Sequence, residues 1–164
     1  MPSSISLWSP EESKTAPELS VSSWLNTNKP MSLLKLRGKV ILLEAFQMLC
    51  PACVFRSLPQ ASVFTELFRG EDFQLIGLHS VFEHHDVMTK EALEVFIHEY
   101  NLKFPIAIDK PSSGEAIPQT MKAYNMGGTP TTILIDKSGK IRASYLGQVR
   151  EEQITAQIGY LLAE

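Results

Sequence analysis

Cysteine is scarce in this chain, with two residues in 164. That scarcity excludes a small domain stapled by disulfides. Positive charge is not in excess either. The formal net charge is -3 and no long basic run occurs, which argues against a nucleic-acid partner. No apolar run is long enough to span a bilayer, so no membrane partner is expected. The first twenty residues lack the basic start and apolar core of a secretory signal. A cytoplasmic location is the expectation, in a compartment where thiols stay reduced. A leader already removed would leave the same sequence and an extracytoplasmic location. Internal repeats, low-complexity tracts and domain linkers are also missing. Residues 1–20, rich in serine, proline and charge, read as an extended, mobile N-terminal segment, and residues 21–164 as one domain.

What is present is concentrated at one junction. The two cysteines are three apart, in Cys50-Pro51-Ala52-Cys53. A bridge between them would close a very small loop and constrain the unfolded chain little, so chemistry explains the pair better than stability does. The apolar run Val40 to Phe46 precedes them and reads as a buried strand. Val54, Leu58, Ala61, Val63, Phe64, Leu67 and Phe68 follow at helical spacing. Pro59 interrupts that helix and is expected to kink it.

Further along, Phe73 to Leu78 reads as a strand and residues 79–88 as a solvated polar loop. Leu93, Phe96, Ile97 and Tyr100 mark one face of a helix. Phe104 to Ile108 reads as a short strand, and Pro118 opens a helix to about Tyr124. Thr131 to Ile135 and Ile141 to Leu146 form a hairpin turning at Asp136-Lys137-Ser138-Gly139, and a helix closes the chain. Trp24-Leu25 and Leu33-Leu34 are apolar points in a turn-rich segment and read as a small hairpin. Strands alternating with helices predict an α/β fold, a central mixed sheet flanked by helices.

A C-x-x-C at a strand-to-helix junction favours thiol chemistry. Cys50 falls at the first helical turn, where free N–H groups and the helix dipole favour a thiolate. Pro51 fits the first helical position, which needs no N–H. Cys53 lies one turn inside and reads as the resolving thiol. Glu44 interrupts an apolar strand, and a buried carboxylate is costly without a partner or a task. Either it pairs with Lys39 or Arg37 at a sheet edge, or it lies beneath Cys53 and removes its proton through a water. Gly127-Gly128-Thr129-Pro130-Thr131 leads into a strand. A cis Thr129–Pro130 bond there would set Thr129 beside the cysteines, ready to bond an extended substrate.

With these motifs in this order, the chain resembles the thioredoxin superfamily, in particular its TlpA-like and ResA-like redoxins. The resemblance rests on Leu36 to Phe46 before Cys50-Pro51-Ala52-Cys53, on Phe104-Pro105 before Asp109, and on Gly128 to Thr132 running into Ile135 to Ile141. It implies a thioredoxin fold in which residues 79–110 form a TlpA-like strand–helix insertion. It also implies a thiol–disulfide oxidoreductase, with nucleophilic Cys50, resolving Cys53, cis Pro130, and Glu44 in the place of thioredoxin's buried aspartate. Protein disulfides are the implied substrates, a reducing partner is required, the direction is that of a reductase, and no cofactor is needed. Leu49, Pro51, Thr129 and Pro130 would form the substrate-binding surface. Two departures concern the site: Leu49 stands where thioredoxins carry tryptophan, and Pro59 lies one residue farther from Cys53 than the family pattern places it.

Two rivals remain. A peroxiredoxin-like peroxide reductase would carry Pro-x-x-x-Thr-x-x-Cys, but Leu43 and Gln47 occupy those places before Cys50. A zinc or copper module would combine Cys50 and Cys53 with His79 and His84, but His79 ends a strand and 25 residues separate it from Cys53. No metal ligands are therefore assigned.

Overall fold

The computed structural model describes residues 6–164. In chain order it has strand β1 (Val21–Leu25), strand β2 (Val40–Phe46), a π-helical turn (Cys53–Ser57) and helix α1 (Leu58–Leu67). Strand β3 (Phe73–His79), helix α2 (Lys90–Glu99), strand β4 (Ile106–Asp109) and helix α3 (Gln119–Ala123) follow. Strands β5 (Thr131–Ile135) and β6 (Ile141–Leu146) and helix α4 (Glu151–Ala163) complete it. The strands form one sheet in the order β1-β4-β3-β2-β5-β6. β2 runs parallel to β3 and β3 parallel to β4, while the other pairs are antiparallel. This is the mixed sheet expected.

Strand β2 lies inside the sheet and is buried at all seven positions, which is why its sequence is apolar on both faces. Val40, Leu42 and Phe46 pack with Leu58, Ala61 and Phe64 of α1, with Leu93 and Phe96 of α2, and with Ile154, Ile158 and Leu161 of α4. Ile41, Leu43 and Ala45 face the opposite layer, with Ile76, Ile133, Ile135 and Met121 of α3. Full burial of such a side chain contributes about 1.5–3 kcal/mol. Gly77 of β3 sits opposite Glu44. A Cβ there would come within 3.0 Å of Phe104 and 3.1 Å of Ile106, so only glycine lets these side chains close over the strand.

Two expectations are corrected. Val21–Leu25 is not half of a local hairpin. It forms the sheet edge against β4, with Trp24 opposite Ala107. Residues 6–20 of the N-terminal segment are not loose: Trp8 to Ala16 follow residues 139–142 of the β5–β6 hairpin, and Ser20 N–H donates to Thr120 Oγ1 at 2.9 Å. Trp8 N–H donates to the Arg142 carbonyl at 2.8 Å, Ile141 N–H to Lys14 at 2.8 Å, and Ala16 N–H to Gly139 at 2.9 Å. The rest of that segment lies outside the described residues.

The displaced proline also has a structural answer. Leu58 N–H donates to the Cys53 carbonyl, five residues back, which defines the π turn. The wider turn absorbs one extra residue. Pro59 then falls in the first turn of α1, so its missing N–H interrupts no bond of that helix. In place of a kink, the helix carries a π turn directly behind the cysteines.

Candidate active site

The end of β2 delivers the cysteines through a short turn. Cys50 N–H donates to the Gln47 carbonyl at 3.1 Å, and Val54 N–H to the Cys50 carbonyl at 3.1 Å, starting the helix. Both cysteines are free thiols. Cys50 is half-buried and Cys53 fully buried. Cys53 N–H points at Cys50 Sγ at 3.3 Å, and Cys50 Sγ lies 3.6 Å from the Thr129 carbonyl oxygen. The Thr129–Pro130 peptide bond is cis. Burial pushes the Cys53 thiol up to about 12, an effect its neighbour Cys50 reinforces. The two thiols thus have different surroundings: one faces solvent and accepts an N–H, the other is enclosed.

Leu49 is 54% exposed, and Pro51 and Ala52 are exposed beside it, so the surface around Cys50 is apolar. Thr129 is half-buried next to it. Pro130 is buried, and its carbonyl accepts Gly147 N–H at 2.8 Å.

Glu44 is not at a sheet edge, and neither Lys39 nor Arg37 pairs with it. It is 2% exposed inside the sheet. Thr132 Oγ1 of β5 donates to Glu44 Oε2 at 2.7 Å, while Oε1 receives no hydrogen bond. Burial pushes its carboxyl up to about 8, opposed by the hydroxyls of Thr132 and Ser57. Ser57 Oγ also lies 3.4 Å from the Cys53 carbonyl. One serine on the π turn therefore bonds the resolving cysteine's backbone and neighbours the buried acid.

Two polar residues beside the cysteines, Gln47 and His79, entered the sequence reading only through the rival functions and the polar loop, and Ser57 not at all. Gln47 is buried and its Oε1 accepts Phe82 N–H at 3.1 Å. His79, read as part of a solvated loop, is 1% exposed at the end of β3. Its Nε2 accepts Met48 N–H at 3.1 Å, and burial pulls its imidazolium down to about 4. The neutral ring therefore braces the turn that carries Cys50. Glu83, His84, His85 and Asp86 are exposed, as a polar loop should be. Met48, Met121 and Met126 are core packing. A sequence signal existed for Ser57, a lone hydroxyl on the apolar face marked by Val54, Leu58 and Ala61.

A profile of the redoxin family matches residues 11–158. The chain belongs to the redoxin family. Thiol-disulfide oxidoreductase ResA of Bacillus thuringiensis (strain Al Hakam) is 32% identical to this redoxin over 133 residues, 81% of this chain and 68% of the relative. Among solved structures, a thiol-disulfide isomerase from Corynebacterium glutamicum is 50% identical with a TM-score of 0.86, covering 91% of this chain and 97% of that one. A thioredoxin-like superfamily protein is 47% identical with a TM-score of 0.89, covering 92% and 97%. The redoxin is a thiol–disulfide oxidoreductase of thioredoxin-like fold.

The rivals gain nothing from the geometry. Leu43 is in the core and Gln47 is engaged with Phe82, so neither is placed to orient a peroxide. Among the described residues no three His, Cys, Asp or Glu side chains converge on a metal position. No helix among them is long and apolar enough to cross a membrane.

Proposed function

We propose that the redoxin reduces protein disulfides, with Cys50 as attacking thiol, Cys53 as resolving thiol and Glu44 as the acceptor of the Cys53 proton. The observation that carries this reading is the asymmetry of the pair. Cys50 Sγ is half-buried and accepts Cys53 N–H, whereas Cys53 is enclosed, with its carbonyl 3.4 Å from the hydroxyl of Ser57, a polar neighbour of Glu44. The Cys50 thiolate attacks one sulfur of a substrate disulfide, and the other leaves as a thiolate that takes a proton from solvent. Cys53 then gives its proton to Glu44, and its sulfur attacks Cys50 Sγ. A Cys50–Cys53 bond forms, the mixed disulfide breaks, and the second substrate thiolate departs. Two electrons have moved to the substrate, and a dithiol partner restores them. No cofactor enters these steps.

Leu49 and Pro51 supply the apolar contact for the polypeptide around the reacting disulfide. Thr129, with its carbonyl toward Cys50 and Pro130 buried behind it, lines the same place. The balance of direction also bears on location. A reduction potential near about -270 mV fits a reductase in the cytoplasm, and one near about -120 mV an oxidant outside it.

The test is trapping with a disulfide-bonded protein such as insulin. Cys50→Ser abolishes turnover and forms no adduct, while Cys53→Ser accumulates a mixed disulfide at Cys50. Adducts on the Cys50→Ser protein would overturn the assignment.

A further inference from the structure

Glu44 is enclosed on nearly every side by apolar groups. Leu42 and Phe46, its neighbours on the same face of β2, are fully buried. On the β3 side, the Gly77 position is crowded by Phe46, Phe104 and Ile106. Its polar neighbours are Thr132 on β5 and Ser57 on the π turn. Both also line an open cleft of about 420 Å³ between the π turn with the start of α1 and the β6–α4 connection. The rim carries Arg56, Arg150, Glu151 and Glu152. A water takes up about 30 Å³ of liquid, so the cleft admits several beside its polar side chains. Neither cysteine lines this cleft, whereas Thr132 and Ser57, the polar neighbours of the buried acid, do, so it opens on the side of Glu44.

We infer that this cleft is the proton path of the site, and that Ser57 is the relay between Glu44 and its water. The inference rests on the reading of Glu44 as the acceptor of the Cys53 proton. In the resolving step a proton passes from Cys53 Sγ to Glu44. It then leaves by way of Ser57 Oγ, which accepts it and releases its own proton to water in the cleft. Glu44 returns to its ionised form while Cys50 stays covered by the departing substrate. The Ser57 hydroxyl is suited to this, because it neighbours a carboxyl whose Oε1 has no partner and it lines the cleft on the other side. The π turn has the same role at the backbone level. It widens the helix by one residue where that hydroxyl stands, and such turns recur at functional sites. Ser57 is thus a positioning and relay residue, and Cys50 and Cys53 remain the reacting atoms.

The test uses the full chain and dithiobis-nitrobenzoate as probe. Nitrothiobenzoate is first released when Cys50 is labelled and again when Cys53 resolves the adduct. The second release reports the resolving step alone. Ser57→Ala is expected to slow it by roughly 5–30-fold at pH 7, a fraction of the range seen for proton-transfer groups. Ser57→Thr, which keeps the hydroxyl, restores most of the rate. Imidazole, small enough for the cleft, restores it in Ser57→Ala but not when Glu44→Gln is added. Wild-type resolution in Ser57→Ala would overturn the inference. So would a slow Ser57→Ala that neither threonine nor imidazole recovers, since packing would then be the cause. In both cases a slow Glu44→Gln leaves the role of Glu44 standing. Unchanged resolution in Glu44→Gln would overturn that role and the relay with it.

Discussion

Strand β5 has a buried carboxyl near each end, and the two are held in opposite ways. At the redox end, Glu44 receives one hydroxyl on Oε2 and nothing on Oε1. At the far end, Asp136 accepts Ser138 N–H at 3.0 Å, the Ser138 hydroxyl at 2.7 Å and Lys140 N–H at 2.9 Å on one oxygen. Its other oxygen takes the Arg142 guanidinium at 3.1 Å. Arg142 also clamps Glu164 with two bonds, at 2.7 and 3.0 Å. Burial pushes both carboxyls up. At Asp136 the hydrogen bonds and Arg142 outweigh it and hold the group below its usual range. At Glu44 they do not, and it stands at about 8. A saturated carboxylate ties down a turn and does not exchange protons near neutrality. An under-satisfied one is costly to the fold and keeps its proton available.

The largest expected break in that contrast comes at the structural end. Arg142→Met leaves two carboxylates without their cation and should lower stability by about 3–5 kcal/mol, read from denaturant midpoints. Exchange kinetics of the folded fraction should not change. An equal loss of resolving rate would show that the two ends are coupled.

Glu44→Gln sharpens the contrast from the other side. Between about pH 4.5 and 8 the folded protein keeps a proton that the unfolded chain has lost. The stability from that proton is complete below pH 4.5 and is lost as pH rises to 8, by at most ~1.4 kcal/mol per pH unit. The variant should lose this fall, measured as the difference in unfolding free energy between pH 5 and pH 8. The ionised form is the base, so the wild-type resolving rate should also rise through about pH 8, and the variant's rise should vanish.

His79→Phe is the smallest of these changes. The neutral ring gives stability that is present above about pH 6.5 and lost as pH falls to about 4, because the unfolded chain binds the proton first. The variant should lose that acid-side decline. It should also be destabilised by about 1–3 kcal/mol at pH 7, because Met48 N–H loses its acceptor. Urea midpoints at pH 7 and pH 5 separate the two effects.

The parts of this protein legible in its sequence are those encoded locally. β5 and β6 follow from a turn with Gly139 at φ +87 between two apolar runs, and β2 from seven buried residues in a row. The thiols, Glu44 and the Thr129–Pro130 loop stand out by residue type and spacing. What stayed hidden depends on partners far along the chain. Trp24 pairs with Ala107, and Trp8 with Arg142, and neither pairing leaves a periodic trace. His79 and Gln47 look like ordinary polar residues until the fold buries them against the turn before Cys50. The offset of Pro59 was visible, but the π turn that absorbs it is a property of the folded helix.

The N-terminal segment beside the β5–β6 hairpin has a consequence beyond packing. A sheet edge left open meets other chains in search of a strand to pair with. An open β6 would offer them a template for aggregation. Here Lys14 and Trp8 already bond its first two residues, Ile141 and Arg142. The opposite edge, β1, is five residues long and interrupted between Val21 and Ser23. Both margins of the sheet are therefore partly blunted against pairing with other chains.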